Sequence, residues 1–429
     1  MESIRNALGP FRPPQTAYVR QKLHAAAIED LPRHLKEILA PIRPSGVRPG
    51  QSVAVAVGSR GIRQLDCIVL HCIHHLKSLG LKPFIVPAMG SHGGASAQGQ
   101  LAVLERLGIT ETAMQAPIVS DMTVRCAGEL DQMEICLDQA ALDADHIVIV
   151  NRIKPHTKFN ADIESGLCKM LTIGLGKDRG ARTFHRCAVR HGFGILEKAA
   201  AWILRHQSIL FGLAVVEDGF GQPAHVEAVL PGRMIEREKA LLKEARRMMP
   251  GIPLDGIDLL IVDFIGKDIS GIGMDSNVTG RHRDIVGDFF THPHVRRIFV
   301  RNLSPGSDGN ASGIGLADIT TRRLVQRMDR EKTYVNALTA ISLEKAAVPM
   351  YFDTDRECLQ AAAAGLGLDS LDTARLVRIQ DTSKLEILQV SKALEFEIDA
   401  RPDLTRLTEW APMTLDSRGN LPDFESRLP

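Results

Sequence analysis

Between residues 150 and 187 the chain carries Asn151, Lys154, His156, Lys158, Asp162, Glu164, Lys169 and His185, interleaved with Gly166, Gly174, Gly176 and Gly180. No other segment holds so many groups able to move protons, attack electrophiles or bind metal. Imidazole titrates near neutrality, so His156 can exchange a proton with a bound hydroxyl. Lys169 precedes a short apolar run, Met170 to Ile173. Desolvation there can lower the pKa of the amine and make it nucleophilic. His185, followed by Arg186, can supply a metal ligand or a phosphate contact.

Two further loops carry comparable groups: Ser59 and Arg60 in GSRG, and His92 in GSHGG. The Arg60 guanidinium can hold a carboxylate through two parallel bonds, with Gly58 and Gly61 letting a ligand approach the backbone. Taken singly, each residue has an ordinary alternative. Arg60 can pair on the surface, His92 can cap the next helix, His156 can be a plain loop histidine, and Lys169 and His185 can be a solvated lysine and a helix histidine. Their joint placement argues for a site. Each of Arg60, His92 and His156 follows a predicted strand, and in a sheet of parallel strands such loops line one crevice.

The elements that position these loops are readable. SVAVAV from Ser52, KPFIVP from Lys82, His146 to Asn151 and Leu210 to Val216 are short apolar strands, separated by helical spacing over Leu65 to Leu79 and a helix ending at Leu107. The alternation predicts an N-terminal doubly wound, mostly parallel, Rossmann-like sheet over 51–250. Residues 1–50 are rich in proline and read as an entry segment, with one helix over Leu31 to Leu39. A mostly polar helix, Arg233 to Met249, leads to a smaller mixed α/β domain over 251–429, and the active site is expected in the cleft between the two domains. There, Ile257 to Phe264 and RRIFVRN read as strands. Asp318 to Met328, Leu338 to Ala347 and Leu385 to Leu394 read as helices, and Ala374 to Gln380 alternates.

Composition narrows the function. Lys plus Arg (52) against Asp plus Glu (51) leaves a formal charge of +1, without the basic field of a nucleic-acid binder. No apolar run is long enough to cross a bilayer, and the N-terminus lacks a leader pattern, so a soluble cytoplasmic protein with a small-molecule partner is expected. The seven cysteines show no CxxC pair, so reduced thiols are the default. LTIGLGKD ends like a phosphate-binding loop but has Leu171 in place of the first glycine and Asp178 in place of Ser or Thr. Gly174, Gly176 and Gly180 miss the dinucleotide spacing. Cys67, His71, Cys72, His74 and His75 crowd a predicted amphipathic helix, where core and surface packing explains them better than a metal does.

The motifs GSRGI, PAMGSHGGA, NRIKPHTKF, ESGLCKM and GARTFH together resemble the nickel-dependent lactate racemase family, over most of the chain. The resemblance implies a nickel-pincer nucleotide held covalently by Lys169, with His185 completing the nickel coordination and Ser59, Lys154 and Gly166 around the cofactor. It implies His92 and His156 as the acid–base pair, Arg60 on the substrate carboxylate, and Lys267 in FIGKDISGIGMD lining the site from the C-terminal domain. The implied activity is racemisation or epimerisation of a 2-hydroxy acid by transient hydride transfer to the cofactor. The family's Asp-x-Thr-Arg-Pro loop is here Val57, Gly58, Ser59, Arg60, Gly61, and GLCKM replaces a Gly-Gly-x-Lys-Ser loop. These departures imply a divergent branch acting on a larger or more polar acid than lactate, such as a sugar acid. Two other classes remain open from the residues alone: a nicotinamide-dependent oxidoreductase or isomerase, and a non-catalytic sugar-acid binding protein.

Overall fold

The computed structural model describes residues 7–59 and 61–424. It is a mixed α/β protein of two compact units, one of residues 24–249 and one joining the start of the chain to residues from 250 onward. Strand β1 (Gln15–Gln21) belongs to the sheet of the second unit. The segment read as an entry region thus divides, because its helix Leu31–Leu39 packs into the core of the first unit. That helix is capped by Asp30, whose side chain accepts from the Arg33 amide at 3.0 Å, and Pro32 sits in its first turn.

In the first unit β2 (Ser52–Val57) and β3 (Lys82–Pro87) run parallel. A separate hairpin follows, β4 (Val124–Leu130) with β5 (Met133–Asp138). The main sheet is completed by β6 (His146–Arg152), β7 (Ile209–Glu217) and β8 (Pro223–Val229) in the order β3-β2-β6-β7-β8, with β8 alone antiparallel. Alternate side chains explain why these strands read as continuous apolar runs. Val53, Val55, Val57, Val148 and Val150 enter one core with Leu31, Leu35, Ile68 and Leu104, while the other face receives Leu167 and Met234 against Gly212. The register pairs Val57 with both Pro87 and Val150. Residues 58–59, 88–92 and 153 onward therefore leave the sheet along one edge. Chain order reverses between β2 and β6, the position where an open α/β sheet leaves a crevice.

The second unit contains β9 (Ile257–Ile265), a two-stranded β10 (Arg281–His282) and β11 (Phe289–Phe290), β12 (Val295–Leu303), β13 (Ile319–Thr321), β14 (Met350–Phe352), β15 (Leu376–Ile379), β16 (Ile387–Ser391), β17 (Leu404–Arg406) and β18 (Ala411–Pro412). Its main sheet has the order β14-β13-β12-β9-β15-β16-β1-β17, with β18 on β1. The strands from β14 to β15 are parallel and the rest antiparallel.

Three predicted helices are corrected here. The segment Asp318 to Met328 is strand β13 followed by the helix Arg322–Arg327, which Thr321 caps by accepting from the Leu324 amide. Leu338 to Ala347 is the end of the helix Arg330–Thr339 and a separate turn, Leu343–Ala346. Leu385 to Leu394 is strand β16 and a turn, Lys392–Leu394. Among the described residues no helix is long and apolar enough to cross a membrane.

Candidate active site

Phe159 lies at the centre of the candidate site, and sequence reasoning passed over it because it is apolar. The ring is 1% exposed. It stacks on His156 at 4.0 Å between centroids and on Phe193 at 4.5 Å, and it meets Phe184 at 5.6 Å and His185 at 6.2 Å. The Lys169 ammonium lies 4.9 Å from the same ring centroid, a cation–π distance. Three residues singled out from sequence, His156, Lys169 and His185, thus converge on one buried aromatic ring, though they come from a loop, a short helix (Leu167–Lys169) and the long helix Lys177–His191.

The loop after β6 is held by buried carboxylates. Glu164, itself buried, accepts from the His156 amide at 2.7 Å, from the Ala161 amide at 3.3 Å and from Arg246 at 2.6 Å. Burial raises its pKa, partly offset by those amides and Arg246. Within the loop, His156 Nδ1 accepts from the Lys158 and Phe159 amides at 3.0 and 3.1 Å. A neutral His156 so held carries its proton on Nε2. Asn151 closes the loop by donating to the Gly166 carbonyl at 2.7 Å, and the Lys154 amide donates to Ser165 at 3.0 Å.

Gly166 is required by close approach. A Cβ there would lie 2.5 Å from Glu238 Oε1 and 2.9 Å from Ile153. Glu238 reaches this point from the helix Met234–Met248 and accepts from the Cys168 amide at 2.8 Å, one residue before Lys169. Among the described residues its Oε1 has no hydrogen-bond partner. Burial pushes the carboxyl up to about 7 against the amides of Cys168 and Leu167. Burial likewise holds the neighbouring Cys168 thiol well above its ordinary value, so it stays protonated.

The Glu238 shift makes a stability prediction. From the ordinary glutamate value up to about 7 the folded chain holds a proton that the unfolded chain has released, so stability falls as pH rises through that window. Glu238→Gln is expected to flatten this dependence and to raise stability at pH 8 by on the order of 2–3 kcal/mol. Urea midpoints at pH 5 and pH 8 measure it. Equal pH slopes in both proteins would count against a proton-holding Glu238.

On the same sheet edge the Ser59 hydroxyl is hydrogen-bonded to His92 Nδ1. Gly58 lies against this group's neighbours: a Cβ there would meet Met170 at 3.0 Å and Asn151 at 3.4 Å. The His92 loop abuts the segment after Lys169, since the Gly90 amide donates to the Gly174 carbonyl at 3.2 Å and a Cβ on Gly174 would fall 2.7 Å from the Ala88 carbonyl. Lys267 stands at the end of β9 in the other unit, where its amine donates to the Gly271 carbonyl and, at 3.0 Å, to Asn336. Arg60 lies outside the described residues, and its expected carboxylate role with it.

The crowded helix Leu65–Ser78 has local explanations for its polar groups. His71 bonds the Cys67 carbonyl at 2.9 Å, His75 bonds the Ile42 carbonyl at 3.1 Å, and burial pushes the Cys72 thiol up to about 12.

Among the described residues no three His, Cys, Asp or Glu side chains come together as a metal cage, so a metal held here would have to bring most of its own ligands. His185 offers one imidazole beside Phe184 and Phe159, and Lys169 offers an amine near the Phe159 ring. No family model and no curated relative matches the chain. Among solved structures, the chain is similar to the lactate racemase apoprotein from Thermoanaerobacterium thermosaccharolyticum, at 12% identity over 87% of this chain and 84% of that one, with a TM-score of 0.42.

Proposed function

We propose that this chain is an isomerase, a racemase or epimerase of a 2-hydroxy acid, in which Lys169 carries a nickel-pincer nucleotide and His185 ligates its nickel. The observation that carries the reading is the convergence of His156, Lys169 and His185 on Phe159, on the sheet edge that also holds Ser59 and His92. The bound cofactor would supply a hydride acceptor, which the weakly acidic Cα–H of a 2-hydroxy acid requires.

The chain's own groups handle the proton and the orientation. When Ser59 accepts from His92 Nδ1–H, Nε2 of His92 carries the lone pair and takes the hydroxyl proton. His156, with Nδ1 held by two amides, presents Nε2–H as a donor to a substrate oxygen. Phe159 and Phe193 exclude water from this side of the site. Arg60 is proposed to bind the carboxylate, and Ser59, Lys154 and Gly166 to line the cofactor. The departures in the 57–61 loop favour a substrate larger or more polar than lactate.

Co-production with a cofactor biosynthesis system tests the reading. An adduct on the peptide carrying Lys169 is expected, with near one nickel per chain. Lys169→Ala is expected to lose the adduct, and His185→Ala to lose nickel while keeping it. Intact mass and metal analysis read both. An unmodified, nickel-free wild-type chain under those conditions would sink the proposal, and micromolar binding of nicotinamide nucleotide by calorimetry would then favour the oxidoreductase class.

A further inference from the structure

Lys177 is fully buried in the first turn of the helix that carries His185, and it holds a left-handed backbone with φ 50°. That conformation is strained for a residue with a side chain. All three ammonium donors are matched by oxygens: Asp138 Oδ2 at 3.0 Å, the Pro87 carbonyl at 2.5 Å and Gln100 Oε1 at 3.2 Å. Gln100 is also fully buried, and it spends its amide group on the carbonyls of Gly90 at 2.9 Å and His92 at 3.3 Å. Pro87 ends β3, and Gly90 and His92 belong to the loop that follows it. Apart from Asp138 and Gln100 itself, the groups that the ammonium reaches by hydrogen bonds, directly or through Gln100, therefore lie in the segment that presents His92.

Burying this cation is costly even when it is paired. Desolvation lowers its pKa despite Asp138, and an apolar pair of similar volume would serve packing as well or better. What the ion pair gives that an apolar pair would not is direction. It ties three carbonyls, those of Pro87, Gly90 and His92, to the start of one helix. Asp138 is fixed in turn, since its side chain accepts from the Ala141 amide at 2.9 Å and its own amide donates to the Leu175 carbonyl at 2.7 Å.

We infer that Lys177 and Gln100 are positioning residues for His92, a buried tether that fixes the His92 loop to the helix bearing His185. The tether explains why a lysine follows Gly176 in a segment that binds no phosphate by its pattern. Its catalytic meaning rests on the reading of His92 as an acid–base group, but the tether itself does not.

Gln100→Met removes the link isosterically and leaves Lys177 paired with Asp138. The double variant Lys177→Met with Asp138→Asn removes both charges and keeps the cap on Ala141. In each, imidazole 15N resonances are expected to lose the His92–Ser59 signature. Amide exchange over residues 88–93 is expected to speed up by about tenfold for each lost bond. The resonances of His146, which bonds Ser208 and Gln51 in the same unit, should stay put. In cofactor-loaded enzyme, kcat is expected to fall by up to about a hundredfold with KM little changed. Unchanged His92 resonances and exchange in a folded variant of either kind would overturn the tether. A wild-type chain that takes no cofactor, alongside variants that loosen His92, would instead sink the racemase reading and leave the tether standing.

Discussion

Asp263→Leu is expected to destabilise the second unit by on the order of 3–5 kcal/mol. Asp263 lies fully buried on β9 and serves two guanidinium groups at once. Its Oδ1 accepts from Arg378 Nε at 2.8 Å, and its Oδ2 accepts from Arg378 at 2.6 Å and from Arg301 at 2.7 Å. Arg301 retains a second carboxylate, Asp355, at 2.9 Å from its Nε. Arg378 would keep Gln389 at 3.1 Å, the Pro422 carbonyl at 2.7 Å and the Phe424 ring at 5.4 Å, a buried cation without an anion among the described residues. Attraction across the pair is large only because water is absent, so removing one partner costs far more than the pair contributes. The same arginines grip the end of the described chain, since Arg301 also donates to the Leu421 carbonyl at 2.6 Å. Adding Arg378→Met to Asp263→Leu is therefore expected to restore most of the loss. Denaturant midpoints of the two variants decide the matter, and a single variant as stable as wild type would mean that water reaches the network.

The parts of this architecture that sequence revealed are those with local causes. SVAVAV and HIVIVN are β-branched runs bounded by turn residues, and they became β2 and β6 within a residue or so of the predicted ends. Gly80, with φ 77°, stops the helix before it as its permissive backbone suggests. What stayed hidden depends on distant partners. Strand β1 pairs with β16 and β17, so residues 15–21 carry no sign of their destination. Strand β16 resembled a helix because Gln389 interrupts its apolar run, yet Gln389 is buried and bonds both Arg378 and Thr16. Strand β13 is three residues long, too short to show alternation.

The site follows the same division. His92, His156, Lys169 and His185 were chosen for reactive chemistry next to glycine and strand ends, which are local marks. Glu238 sits in a helix that looked mostly polar, and its burial follows from docking against Leu167 and Cys168. Lys177 was weighed as the tail of a failed phosphate loop, because its partner Asp138 lies on a hairpin that sequence did not bring near it. Phe159 had the weakest mark of all, an apolar residue three positions after a histidine.

That ring supplies the second large effect. Phe159→Ala is expected to cost the first unit about 3–5 kcal/mol, the transfer of the ring plus the cavity left beside Phe184 and Phe193. Phe159→Leu keeps most of the volume and is expected to cost under about 1.5 kcal/mol. Stability and site geometry should part company between the two. Leucine has no π face for the Lys169 ammonium and no ring to stack on His156, so both variants are expected to lose the ring-current shift of the His156 protons and the cation–π contact, while only alanine unfolds easily. Proton NMR of the histidines, read against urea midpoints, separates packing from positioning. Should Phe159→Ala match wild type in stability with His156 resonances unmoved, the three residues would not share this ring in solution, and the convergence on which the proposed function stands would be lost.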